Sequence, residues 1–233
     1  MKYIAYDFET TGLDYQKDQP IEIGIIKIDN LGNIEEHNFF AKAPEPLSDD
    51  TKRITGLTDE LINEKGIDLQ KAMEKMFEIM GIRKDGFDKD VTIIGHNIIC
   101  FDNLFLYRYA GEYGYRFPAR ENFFDTAGEF RALLIGEQKF VHECDFDFHD
   151  RILKMNVKGA RYNLTAACKH YGINMDKDAH RALHDSLYSL KVFEKQTGLS
   201  LLKYVAKEQK ANSDFTNNLA IKHDENGQGM MNF

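Results

Sequence analysis

The chain has 233 residues, enough to bury a sizeable core and to form one domain with an appendage. Its 30 Lys and Arg against 38 Asp and Glu give a net charge of -8, which excludes a basic stripe that holds nucleic acid by phosphate neutralisation alone. A hydrophobic fraction of 42%, no apolar run near the roughly 20 residues of a bilayer span and no signal-peptide succession together predict a soluble cytoplasmic protein.

The stretch YIAYDFETTGLD, from Tyr3, reads as a short strand that breaks at Thr-Thr-Gly. Alternate side chains of a strand share a face, so Asp7 and Glu9 point together, away from Ile4, Tyr6 and Phe8. Two like charges at that spacing repel unless a cation lies between them. PIEIGIIKID (Pro20 to Asp29) and IEEHNFFAK follow as strands separated by the turn residues NLGN, and short connections predict an antiparallel meander. Thr58 is a cap for a helix from Asp59, and the apolar spacing from Leu69 to Ile82 is helical. VTIIGHN is a buried strand ending at Gly95, which leads into a helix with Asp102 at its start. FFDTAGEFRALLI repeats the strand-helix succession, with Thr126 as the expected cap, and NLTAACKHYGI and AHRALHDSLYSLKVFEKQTG read as two more helices. Strands followed by alternating strands and helices imply an α/β fold, a mixed sheet flanked by helices.

Three segments in order, DFETTGL, HNIICFD and HRALHD, resemble the three exonuclease motifs of the DEDDh family, the group that includes the proofreading subunit of bacterial DNA polymerase III and ribonuclease T. The likeness runs from Met1 to about Thr197, with support from PIEIGIIKI, ITGLTDELI and NLTAACKHYGI. It implies a ribonuclease H-like fold, a mixed five-stranded sheet flanked by helices, in a domain of residues 1–197; beyond it, the composition of 198–233 predicts a C-terminal helix and flexible tail. It also implies that Asp7, Glu9, Asp102 and Asp185 are acidic ligands for two divalent cations, Mg²⁺ or Mn²⁺, and that His180 is the general base. Oxygen ligands suit such cations, and an imidazole titrates near working pH. His180 and Asp185 are five residues apart, so a helix starting near Ala182 leaves His180 on an approach loop. By the same resemblance, the backbone at Thr10 and Thr11 meets the terminal 3′-hydroxyl, Gly12 permits close approach and Leu13 packs on the last base. Asn97 and Phe101, in the family's Asn-x-x-x-Phe-Asp arrangement, belong to the substrate side; for Asn97 a local turn is the alternative.

HECDFDFHD invites a zinc reading through His142, Cys144 and His149, but the spacing matches no familiar zinc pattern and the Phe/Asp alternation predicts a short strand or hairpin. The three cysteines, Cys100, Cys144 and Cys168, suit a reducing compartment. The polar stretch from Gly136 to Arg161 reads either as an insertion beside the substrate path, with Lys154, Lys158 and Arg161 supplying positive charge, or as a solvated face. The end, QGMMNF, resembles the bacterial sliding-clamp-binding pattern in Gln228, Met231 and Phe233; a tail with no partner is the alternative. The reading is therefore a metal-dependent 3′-to-5′ exonuclease that releases nucleoside 5′-monophosphates from single-stranded or frayed DNA ends in proofreading or repair, with a sliding clamp or polymerase subunit as partner. An exoribonuclease, and a polymerase- or clamp-binding scaffold on a non-catalytic nuclease fold, are the alternatives.

Overall fold

The computed structural model describes residues 1–175 and 181–202, and the structural statements that follow concern those residues. Alternation along β1 (Lys2–Thr10) divides its side chains between two cores: Ile4, Tyr6 and Phe8 enter one and Ala5 the other. Asp7 and Glu9 continue the face of Ala5. β2 (Pro20–Ile28) and β3 (Ile34–Ala41) complete the expected antiparallel meander, with Asp7 opposite Gly24 and Glu9 opposite Glu22. On the other side of β1, β5 (Val91–Gly95) pairs with it in parallel, and β6 (Phe123–Asp125) pairs in parallel with β5. The sheet has six strands rather than five, because the two residues of β4 (Gly66–Ile67) add to the end of β3 as the chain leaves α2 (Asp59–Lys65). The order is β4-β3-β2-β1-β5-β6.

Both faces of the sheet are covered. α3 (Leu69–Met80) and α4 (Asp102–Glu112) bury Met73, Met76, Phe77, Phe105 and Leu106 against Ile4, Tyr6, Phe8, Ile23 and Ile25. α8 (Ala182–Thr197) buries Leu190 and Phe193 against Ala5, Ile26, Ile28 and Ile94. Each such side chain removed from water stabilises the fold by about 1.5–3 kcal/mol, which is why the two apolar faces fix the register of the sheet. α5 (Thr126–Ile135) and α7 (Leu164–His170) meet α8 through Phe130, Cys168 and Tyr188. Among the described residues no helix is long and apolar enough to cross a membrane.

Helix starts follow the side chains available to accept the first free N–H groups. Ser48 caps α1 (Asp49–Thr55), accepting from the Thr51 N–H, and Thr58 caps α2 by accepting from Leu61. Two expectations are corrected. The cap of α5 is Asp125, whose carboxylate accepts from the N–H groups of Ala127 and Gly128; Thr126 is the first helical residue, and its hydroxyl donates to the Gly95 carbonyl. The DFDF alternation is not a strand but the start of α6 (Asp145–Lys154), capped by the Cys144 sulfur. Phe148 and Ile152, four apart, bury with Ala132 of α5, and this helical stripe outweighs a four-residue alternation too short to fix a period. The zinc reading gains nothing here: His149 is buried between the Asp125 N–H and the Glu129 carboxylate, and the Cys144 thiol donates to Asp147. Lys154 pairs with Asp150 at 2.7 Å, as on a solvated face.

Candidate active site

β1 runs past the end of β5: their last pair is Ala5 with Ile94, so the Phe8 N–H has no strand partner on that side. The Asp102 carboxylate accepts it at 3.0 Å from the first turn of α4. One residue on, the Tyr6 hydroxyl donates to the Asn103 side-chain oxygen at 2.6 Å, so two buried bonds dock the start of α4 on β1. The loop that delivers Asp102 is itself stapled. Asp125, fully buried, accepts from the Asn97 N–H at 2.8 Å and from the Ile99 N–H at 2.9 Å. Asn97 has φ 66, a left-handed turn that Asn tolerates better than most residues, which matches the local alternative for this residue.

On the other face, α8 approaches β2 closely because residue 24 is glycine. A Cβ there would lie 2.2 Å from the Ala182 carbonyl carbon and the Leu183 nitrogen. The Ser186 hydroxyl then donates to the Gly24 carbonyl at 3.1 Å and to the Ala182 carbonyl at 2.8 Å. This contact brings Asp185, next to Ser186, onto the pair from β1: carboxylate oxygens of Asp7, Glu9 and Asp185 all lie within 4.8 Å of one another. Asp102 is close enough to perturb Asp7 but stands outside this tight group, held by the Phe8 N–H. His180 lies outside the described residues, as do Gln228, Met231 and Phe233.

The electrostatics are those of carboxylates crowded together out of water. Burial, then the carboxylates of Asp102, Asp185 and Glu9, hold Asp7 well above the usual carboxylate range. Burial pushes Glu9 up to about 8, helped by Asp185, Glu22 and Asp102 and opposed by the Arg181 guanidinium. Burial likewise lifts Asp102 to about 8, against its bond from Phe8, which favours the ionised form. An all-oxygen donor set in which three carboxylates crowd together and repel fits a hard divalent cation of the Mg²⁺ or Mn²⁺ type.

Beside Glu9 opens a cavity of about 490 Å³, lined by Glu9, Thr10–Leu13 and Phe101, by Arg53 and Ile54 of α1 and by its cap Ser48. The turn is fixed by its own loop and by α1. The Thr10 hydroxyl donates to the Gly12 carbonyl, the Thr11 hydroxyl to Asp18, and the Thr51 hydroxyl of α1 to the Thr11 carbonyl. Gly12 has a local reason as well: a Cβ would lie 2.5 Å from the Asp18 carboxylate. Leu13, 85% exposed, is presented outward at the cavity lip. The sequence singles out Thr10–Leu13 and Phe101, which line this cavity, but not Ser48, Arg53 or Ile54, of which Ile54 alone falls within the ITGLTDELI stretch. Sequence reasoning also missed Asp125, Glu22 and Arg181, for which a lone acid within an Ile-rich strand is the one clue for Glu22.

Residues 4–193 match the model of the Exonuclease family of the RNase T type. The PolC-type DNA polymerase III of Mycoplasmopsis pulmonis is 29% identical over 209 residues, covering 87% of this chain, and that of Mycoplasma genitalium is 36% identical over 104 residues, covering 45%. The chain spans only 12% and 6% of the length of these relatives. Escherichia coli exonuclease I, solved with a dT13 oligonucleotide, has the same fold with a TM-score of 0.58 at 17% identity, over 83% of this chain and 41% of that one. A match that spans the sheet, the three gathered carboxylates and most of α8 places the chain in the Exonuclease family, with the mixed α/β architecture of its ribonuclease H-like members.

Proposed function

We propose that the chain is a metal-dependent 3′-to-5′ exonuclease acting on single-stranded DNA ends, and that it serves proofreading or repair. The observation that carries this is the gathering of Asp7, Glu9 and Asp185, with Asp102 close enough to act on Asp7, where Glu9 also lines the cavity beside Thr10–Leu13. The polymerase relatives and the oligonucleotide bound by exonuclease I support DNA as the substrate. Asp7, Glu9, Asp102 and Asp185 would hold two divalent cations, which when bound stabilise charge on the attacking and leaving oxygens of a phosphodiester displacement. The protein's own groups do the rest. The Thr10–Thr11 backbone and Leu13 hold the terminal nucleotide, Phe101 and Ile54 supply further apolar lining of the same cavity, and apolar packing of this kind reads little sequence. His180 removes the proton from the attacking water; the water oxygen forms the new bond to phosphorus, and the 3′-oxygen leaves on the shortened strand. The tail pattern at Gln228, Met231 and Phe233 adds a sliding clamp as partner, a tether that raises effective concentration for an acidic enzyme.

The test uses one oligonucleotide sequence as DNA and as RNA, labelled at either end, with Mg²⁺ or with chelator. We expect Mg²⁺-dependent ladders from 5′-labelled DNA and immediate release of a labelled mononucleotide from the 3′-labelled strand. Intact folded protein that degrades neither nucleic acid, or that shortens DNA from the 5′ end, overturns the proposal; faster loss of RNA reassigns the substrate.

A further inference from the structure

Glu22 is fully buried in β2, yet it is a carboxylate directly opposite another carboxylate, Glu9. Its partner comes from 159 residues away: the Arg181 Nε donates to both Glu22 oxygens at 3.0 Å, and a terminal nitrogen donates to one of them at 2.7 Å. Asn38 of β3 donates to the same carboxylate at 2.9 Å, which satisfies it further. Arg181 is the N-cap residue of α8, but its side chain makes no capping bond; it leaves the helix end to reach the sheet. Its carbonyl accepts the Asp185 N–H at 3.0 Å, so the residue that clasps Glu22 also closes the first helical turn carrying Asp185. Gly24 and Ser186 set how closely α8 sits on β2, while Arg181 and Glu22 set where its first turn begins.

We propose that the Arg181–Glu22 pair is a positioning device for the cation site. It registers the first turn of α8 against β2 so that Asp185 reaches Glu9 and Asp7, and it neutralises a buried carboxylate that would otherwise stand unpaired beside Glu9. Buried ion pairs contribute little net stability, because desolvation offsets attraction; their best attested use is fixing register. A planar guanidinium sets two nitrogens, Nε and a terminal one, along the edge of one carboxylate in a fixed orientation that the single nitrogen of Lys does not reproduce, so the geometry favours Arg over Lys. The inference rests on reading Asp7, Glu9 and Asp185 as cation ligands, and its test separates the two ideas.

Mn²⁺ binding to the full chain is measured by electron paramagnetic resonance, alongside thermal unfolding, for the original protein, for the double variant Glu22→Gln with Arg181→Met, and for Arg181→Lys. Removing both charges together avoids stranding either one, so the double variant should unfold near the original temperature. Its Mn²⁺ affinity should nevertheless fall by about 10- to 100-fold, the usual cost of losing an outer partner of a metal site. Arg181→Lys keeps the charge but not the fork, and should also bind Mn²⁺ more weakly, with kcat reduced at saturating metal and KM for DNA unchanged. A folded double variant that binds Mn²⁺ as the original does overturns the positioning role. Should the double variant not fold, original affinity in Arg181→Lys overturns it equally. No Mn²⁺ binding by the original protein removes the cation reading itself, and the proposal with it.

Discussion

Asp7 sits at the centre of the carboxylate group, opposite a glycine on one side and flanked by Glu9 two residues on. Removing its charge with Asp7→Asn takes away an oxygen ligand while keeping the shape, so nuclease activity should fall by about 10²–10³-fold, the scale of losing one preorganised electrostatic partner of a developing charge. Far-ultraviolet circular dichroism should be unchanged; activity within a few-fold of the original would exclude Asp7 from the site. His180→Gln should cost about 10²–10⁴-fold, the range for a general base, with Mn²⁺ binding retained. At this scale the sequence is informative where side-chain type and local spacing coincide. Asp7 and Glu9 share a face by strand alternation, and Asp185 belongs to a motif whose order can be read. Glu22 and Arg181 could not be paired in advance, because nothing local to either residue indicates a contact across 159 positions.

Two elements are held in place by single, testable contacts. Gly24→Ala introduces a Cβ 2.2 Å from the backbone of Ala182 and Leu183, neither of which is a flexible side-chain end. α8 must move outward, with a loss of about 1–3 kcal/mol by the usual cost of overpacking and a parallel loss of Mn²⁺ affinity as Asp185 retreats. Denaturant unfolding with and without Mn²⁺ measures both; unchanged stability and affinity would show that α8 does not depend on this close approach. Asp125→Asn halves a carboxylate that accepts from Asn97, Ile99 and the start of α5, and should cost about 1.5–3 kcal/mol, the worth of a hydrogen bond to a charged group. The same urea titration reports it. Elements with long periodic patterns, such as α3 and the meander, were legible in the sequence. α6 was not, because DFDF offers a strand period over four residues, whereas its helical stripe becomes apparent only once Phe148 and Ile152 are seen to share a partner on α5.

Over the whole molecule, a net charge of -8 and a half-buried group of carboxylates tie stability to pH and to metal. Glu9 and Asp102, lifted to about 8, and Asp7, also raised, bind protons more tightly folded than unfolded. The stabilisation from keeping them protonated is therefore complete below the ordinary carboxylate range near 4 and lost as pH rises through about 8. Metal-free protein should unfold at a lower temperature at alkaline pH than in mild acid, and Mg²⁺ should raise the Tm more on the alkaline side, where no proton has to be displaced. A Tm that rises with pH in chelator would contradict the assignment. The meander and the mixed sheet flanked by helices were legible as a fold class, while the sixth strand was not, since a two-residue pairing leaves no pattern. The most direct test of the central claim is the anomalous scattering of crystals grown with Mn²⁺ and a nucleoside 5′-monophosphate. We expect metal peaks ligated by Asp7, Glu9 and Asp185, with the nucleotide in the cavity lined by Thr10–Leu13 and Ile54. Well-ordered crystals at saturating Mn²⁺ with no peak among those carboxylates would contradict it.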